Sequence, residues 1–295
     1  MNLSSFGMDS VTLPGTLESK LHAVCDAGFA QIMLWGADLA GHPGGMIDAV
    51  RLVRASGLRV TGLQLLRDFE GLDGALHDYK LEMAQQLLQV CHDVQAPLLL
   101  VCSSTSAHAA GASDLLARDL AKLATLAVPM KVKIGYEALS WGRHVNQLEH
   151  SWDVVDLAAH ANLGLVIDAF HVLARPGSAD CLDDIPSDKI FLVQLSDFLL
   201  PGLASDAERL DTARHARVFP GQGVHALALA DLLRRLDRGG YRGDYSFEVF
   251  NDDFLQLPAA VVAHYAYQSA KWVTDQVLRR SLDMRRRTAR HPTML

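Results

Sequence analysis

Pro97-Leu98-Leu99-Leu100-Val101 is apolar at every position. A strand with one face in water alternates apolar and polar residues, so an unbroken apolar run suits a strand covered on both faces, as in a parallel sheet between helices. Similar runs, rich in Val, Ile, Leu and Phe, recur about every 35 residues with helical patterns between them, the mark of consecutive βα units. The candidate strands are residues 3–8, 29–35, 59–65, 97–102, 133–139, 163–170, 190–195 and 245–250. Eight parallel units close most economically into a (β/α)8 TIM barrel. A doubly wound open sheet is the alternative, but no GxGxxG follows the first strand.

The segments between the runs read as helices. Leu17, Leu21 and Val24 follow helical spacing behind Thr16, a capping residue, and Gly28 stands where that helix should end. Before the fourth strand, Tyr79, Met83, Leu87, Val90 and Val94 form a stripe expected to pack on the sheet. The longest connection, about 198–224, follows the seventh strand, and loops of such length are usually functional.

The 295 residues suit one barrel of about 250 residues plus a tail. We place the barrel at 1–278 and a basic, solvated tail at 279–295, bearing Arg279, Arg280, Arg285, Arg286, Arg287 and Arg290. With 49% hydrophobic and 21% charged residues, the chain can bury a sizeable core. A formal charge of −7 argues against nucleic acid as partner and for a small substrate. Cys25, Cys91, Cys102 and Cys181 show no CxxC spacing; at least three lie in apolar contexts, and all are expected to be reduced. The N-terminus has no signal pattern and no segment approaches a membrane span, so a cytoplasmic protein is expected, with no membrane partner. Homo-oligomerisation is left open.

In a barrel, catalytic groups sit where strands end, so a polar residue interrupting an apolar run there carries weight. Four strands supply one each: Glu137 after Ile134-Gly135-Tyr136, Asp168 after Leu165-Val166-Ile167, Gln194 after Phe191-Leu192-Val193, and Glu248 after Tyr245-Ser246-Phe247. Any single carboxylate could cap a helix or pair with an Arg. Three converging on one mouth would repel strongly, and a bound dication is the simplest remedy. Three carboxylates and an amide oxygen form a hard ligand set that suits Mg²⁺ or Mn²⁺, with Co²⁺ as a substitute.

His171, three residues after Asp168, is the preferred general acid/base. Arg67, just after the third strand, could fix a substrate carboxylate, or pair instead with Asp68 or Glu70. Arg143 and His144 lie in the loop Ser140-Trp141-Gly142-Arg143-His144 as further candidates. Arg217 and Gln222, before and within Phe219-Pro220-Gly221-Gln222-Gly223, are candidate substrate contacts. Ser103-Ser104-Thr105-Ser106 is left as a polar loop.

These residues resemble the xylose-isomerase-like barrels of sugar isomerases and epimerases, over residues 1 to about 278. The longer strings look most like the bacterial 3-dehydroshikimate dehydratases of quinate and shikimate catabolism: Leu66-Arg67-Asp68-Phe69-Glu70-Gly71, Tyr136-Glu137-Ala138-Leu139, Asp168-Ala169-Phe170-His171, Gln194-Leu195-Ser196-Asp197 and Glu248-Val249-Phe250-Asn251-Asp252. The resemblance implies one metal on Glu137, Asp168, Gln194 and Glu248. It also implies dehydration of 3-dehydroshikimate, a small carboxylated cyclic substrate, to protocatechuate through a metal-stabilised enolate. Some similar dehydratases continue into a dioxygenase-like domain, which is expected to be absent or removed here. Where other relatives carry a His two residues after the strand-five Glu, this chain has Leu139, which leaves the proton-abstracting base open. A ketose isomerase or epimerase acting through an enediolate remains the first alternative. An abasic-site endonuclease is disfavoured by the acidic balance, and a non-catalytic sugar-binding module is the last.

Overall fold

Ten strands form in the computed structural model, which describes residues 3–175, 177 and 179–278. They are β1 (Phe6–Asp9), β2 (Gln31–Trp35), β3 (Arg59–Arg67), β4 (Leu98–Cys102), β5 (Lys133–Glu137), β6 (Leu163–Asp168), β7 (Ile190–Leu195), β8 (Asp197–Phe198), β9 (Arg217–Val218) and β10 (Asp244–Phe247). β1 to β7 and β10 are parallel and close into a barrel in sequence order, with β10 between β7 and β1. The open-sheet alternative is thereby excluded. All eight expected strands are present, with ends shifted by a few residues; residues 3–5, for example, are 3₁₀ rather than extended.

Period two along each strand decides what the barrel encloses. Met33, Leu98, Leu100, Cys102, Val166 and Leu192 pack together as a cluster separate from the larger core between strands and helices. Val166 and Leu192 belong to that cluster, so Asp168 and Gln194, two residues further on, extend the same face towards the C-terminal end. On β5, Gly135 holds the corresponding place below Glu137. A Cβ there would stand 2.6 Å from Val166 Cγ2 and 3.0 Å from Leu98 Cδ1, so the glycine leaves room for the neighbouring strands' side chains.

The helices follow their sequence signals with one correction. Thr16 caps Leu17–Asp26 by accepting from Ser19 N, and Gly28 takes the left-handed φ of +84° beyond its end. In Gly74–Val94, however, the buried residues are Ala84, Leu88, Cys91 and Val94, whereas Tyr79 and Met83 of the expected stripe are 54% and 40% exposed. Leu87, Val90 and Val94 of the expected stripe do pack against the core, but the most buried positions are set by Ala84, Leu88 and Cys91, one residue or about 100° around the helix from Met83, Leu87 and Val90. The long connection after β7 also proves structured. It contains the helix Asp206–His215 and the antiparallel pair β8–β9.

Two of the four cysteines, Cys91 and Cys102, are buried; Cys25 is exposed and Cys181 half-buried, against the expectation of three buried thiols. All four are free. No helix among the described residues is long and apolar enough to cross a membrane. The arginine-bearing segment 279–295 lies outside the described residues.

Candidate metal centre

At the C-terminal end of the barrel a cleft of about 310 Å³ opens over Glu137, Glu248, His171, Arg217, Cys102 and Arg67, within the range of small-molecule sites. Asp168 and Gln194 lie beside these groups, 2% and 0% exposed. Strand register brings them together: Asp168 pairs with Gln194, Gln194 with Ser246, and Cys102 with Glu137.

Arg217 is the hub of the charge arrangement. Its Nη1 donates to Asp168 Oδ2 at 2.7 Å and to Glu248 Oε2 at 3.0 Å, while Nε donates to Ala213 O at 2.8 Å. The last bond ties it to the C-terminal turn of Asp206–His215, a helix started by a capping box between Ser205 and Glu208. The Phe170 ring, 4.5 Å from its guanidinium carbon, lines one side. Burial works against the Arg217 charge, but Asp168 and Glu248 more than offset it and raise its pKa. Instead of standing free for a substrate anion, Arg217 is committed to the carboxylates.

One guanidinium does not balance the site. Besides Glu137, Asp168 and Glu248 there is a fourth acid, Asp9 at the end of β1, fully buried. Burial, then the charge of Asp168, pushes the Glu137 carboxyl up to about 8. Burial likewise raises Asp9 to about 7 and holds Glu248 well above the usual range in spite of Arg217. Glu137 Oε2 accepts from the Cys102 thiol at 3.0 Å, and that thiol is raised by burial and by Glu137. Two buried oxygens in the cluster, Glu137 Oε1 and Gln194 Oε1, have no hydrogen-bond partner. Buried acceptors are costly when unpaired, and a hard dication is what such an oxygen set accommodates. The residues therefore fit a divalent ion.

Ligand atoms of Glu137, Asp168 and His171 also lie within 4.8 Å of one another. His171 Nδ1 faces Ser140 N at 3.1 Å, and a backbone N–H can only donate. Nδ1 is thus the acceptor and Nε2 carries the proton of the neutral ring, directed towards Asp168 Oδ2 at 3.5 Å. Burial lowers the His171 pKa to about 3, which keeps the ring neutral. With Nε2 protonated, His171 offers a donor rather than a metal-binding lone pair. Asp168 serves two ends: Oδ1 caps the helix Ala169–Leu173 by accepting from Phe170 N at 2.8 Å, and Oδ2 faces the site.

Arg67 stands at the rim. Asp68 at φ +51° turns the chain, and its Oδ1 accepts from Thr105 N at 2.7 Å. Glu70 Oε1 accepts from Ser104 N at 2.6 Å and Tyr136 Oη at 2.9 Å. Both acids that could have paired with Arg67 are engaged with the 103–105 segment instead. Its guanidinium lines the cleft with no partner among the described residues, as does that of Arg214.

Three candidates are not brought to the cleft. The His144 ring packs on Gly111 with Nε2 2.9 Å from Ala109 O; Arg143 is exposed; Gln222 is exposed and accepts from Phe219 N through Oε1. Sequence reasoning missed Asp9, Cys102, Ser140 and Arg214. Asp9 carries the same signal as Glu137, Asp168, Gln194 and Glu248, a polar side chain ending an apolar run, here after Phe6-Gly7-Met8.

Known proteins bear on this geometry. The chain is 43% identical over 267 residues, 90% of its length, to the 3-dehydroshikimate dehydratase of Pseudomonas aeruginosa, and 38% identical over the same span to that of Pseudomonas putida. It spans 41% of the length of each. Among solved structures, a xylose isomerase-like TIM barrel/4-hydroxyphenylpyruvate dioxygenase fusion protein superposes with TM-score 0.88 and 35% identity, over 96% of this chain and 44% of that one. The family model for xylose isomerase-like TIM barrels matches residues 21–276, and the chain belongs to that family.

Proposed function

We propose that this barrel is a metal-dependent hydro-lyase that converts 3-dehydroshikimate to protocatechuate. The observation that carries this reading is the 43% identity, over 90% of the chain, to a protein named for that activity. The cleft supports it through the unpaired Arg67 guanidinium, set to bind a carboxylate bidentately above the acidic cluster. Arg214, which also lines the cleft, adds positive potential.

Glu137, Asp168, Gln194 and Glu248 would hold one divalent ion, Mg²⁺, Mn²⁺ or Co²⁺, whose chemical contribution is Lewis-acid polarisation of the substrate ketone. That ketone acidifies the adjacent C–H; the carbon loses a proton, the ring loses hydroxide, and the two leave as water. His171 lines the cleft as a neutral ring held in the Nε2–H tautomer by Ser140 N–H, so it offers the departing hydroxyl a hydrogen bond rather than a transferable proton. Trp141, edge-on to His171 at 4.9 Å between ring centroids, and Leu139 give the cleft apolar walls.

Incubation of metal-loaded protein with 3-dehydroshikimate tests the proposal. The expected result is the ultraviolet absorbance of protocatechuate, abolished by chelator and restored by Mg²⁺, Mn²⁺ or Co²⁺. No product with any of the three ions sinks the dehydratase reading. Turnover of a neutral ketose without need of Arg67 would favour the isomerase alternative.

A further inference from the structure

Gln194 differs from the other three candidate ligands in being neutral and two-ended. Its amide offers an oxygen at one end and an NH₂ of nearly the same shape at the other, and only the oxygen can bind a cation. Something must decide which end faces the cluster. Gln194 Nε2 donates to Asp9 Oδ2 at 2.6 Å, and Asp9 Oδ2 also receives Gln64 Nε2 at 3.4 Å. The other Asp9 oxygen takes the hydroxyl of Ser246. Turning the amide over would set Gln194 Oε1 against the Asp9 carboxylate, an acceptor facing an acceptor in a buried site. The observed orientation leaves Oε1 without a protein partner.

On the reading that the cluster holds a dication, we propose that Asp9 is a positioning residue: it fixes the Gln194 amide so that the oxygen is presented to the ion. Both Asp9 oxygens are occupied by donors from β3, β7 and β10, so Asp9 acts through Gln194 and not as a fifth ligand. Outer groups that orient metal ligands commonly change affinity by about 10–100-fold when removed.

A double-mutant cycle on Mn²⁺ affinity tests this, with binding measured calorimetrically on the chelator-treated protein. Asp9→Ala is expected to weaken Mn²⁺ binding about 10–100-fold. Asp9→Asn, which keeps one acceptor oxygen, should weaken it less. In a Gln194→Ala background, Asp9→Ala should add little, because the group it positions is gone. An equal loss in both backgrounds would mean that Asp9 acts only through its charge, and unchanged affinity would mean that it does not act; either overturns the proposal. In the metal-free variants the relief of like-charge repulsion is opposed by the Gln64, Gln194 and Ser246 donors left without an acceptor, so the check there is that cooperative unfolding is retained. Loss of the fold in both Asp9 variants would assign Asp9 to the scaffold and also overturn the proposal. Wild-type protein that takes up no Mn²⁺ would defeat the metal reading itself, an outcome distinct from Mn²⁺ binding that is indifferent to Asp9.

Discussion

The two ends of the barrel each carry an arginine between strands, and they handle charge in opposite ways. At the N-terminal end Arg59 forms a two-pronged pair with Asp244, Nη2 to Oδ1 at 2.6 Å and Nη1 to Oδ2 at 2.8 Å, and also reaches Gln31. One cation meets one anion, with 53% and 28% of the side chains exposed. At the C-terminal end Arg217, 3% exposed, contacts two of four buried acids, and Glu137 Oε1 and Gln194 Oε1 have no partner. The first arrangement is complete in itself. The second is an acidic cluster with more carboxyls than its one guanidinium can pair, an arrangement that a bound cation would complete. That contrast agrees with the division of labour in TIM barrels, stability at one end and chemistry at the other.

The largest effect should come from removing the C-terminal hub. Arg217→Met would leave Asp168 and Glu248 buried without their cationic partner, and breaking such a pair costs about 3–5 kcal/mol. Urea denaturation of chelated protein should show that loss, partly reversed by Mn²⁺; a cost below about 1 kcal/mol would place this end with the surface pairs. Next, Glu137→Gln should weaken Mn²⁺ binding by more than the roughly 100-fold upper range of outer-group changes. The chelated variant should unfold at an equal or higher temperature, because one of the crowded like charges is neutralised. A clear drop in that temperature would show Glu137 to be a stabilising group rather than a ligand.

A smaller, purely kinetic effect is expected at the rim. Losing a hydrogen bond to a charged group costs about 1.5–3 kcal/mol, so Arg67→Ala should raise KM for 3-dehydroshikimate about 10- to 100-fold, with kcat less affected. An unchanged KM would detach Arg67 from the substrate. Smallest of all should be Arg59→Ala at the other end. A half-exposed pair contributes about 0–1 kcal/mol, and kcat/KM should not move.

Sequence made the barrel legible because parallel strands enclosed on both faces cannot hide: Leu98 to Val101 is apolar throughout, and seven further runs rich in apolar residues follow the same spacing. Glu137, Asp168, Gln194 and Glu248 were legible for the complementary reason, as polar residues ending such runs. Asp9 obeys the same rule and was lost to a boundary drawn at Met8. Arg217 was identifiable as an interesting residue but its partners were not, since Asp168 lies 49 positions away and meets it only because β7 pairs with β6 and carries the following connection back over the site. Loop side chains were the least readable. His144 and Gln222 stand in polar strings near the site, yet each turns to a backbone group in its own surroundings. Nothing in local sequence marks which way a loop side chain turns. The same holds for Gly74–Val94, where two apolar stripes compete and only packing selects one.

The central claim is that the C-terminal charge deficit is filled by one divalent ion. Calorimetric titration of chelator-treated wild-type protein with Mn²⁺ tests it most directly. The expected result is one ion bound per chain, with folding stability raised by about 2.7 kcal/mol when free Mn²⁺ is a hundred times Kd. No uptake and no stabilisation by millimolar Mn²⁺, Mg²⁺ or Co²⁺ would contradict it.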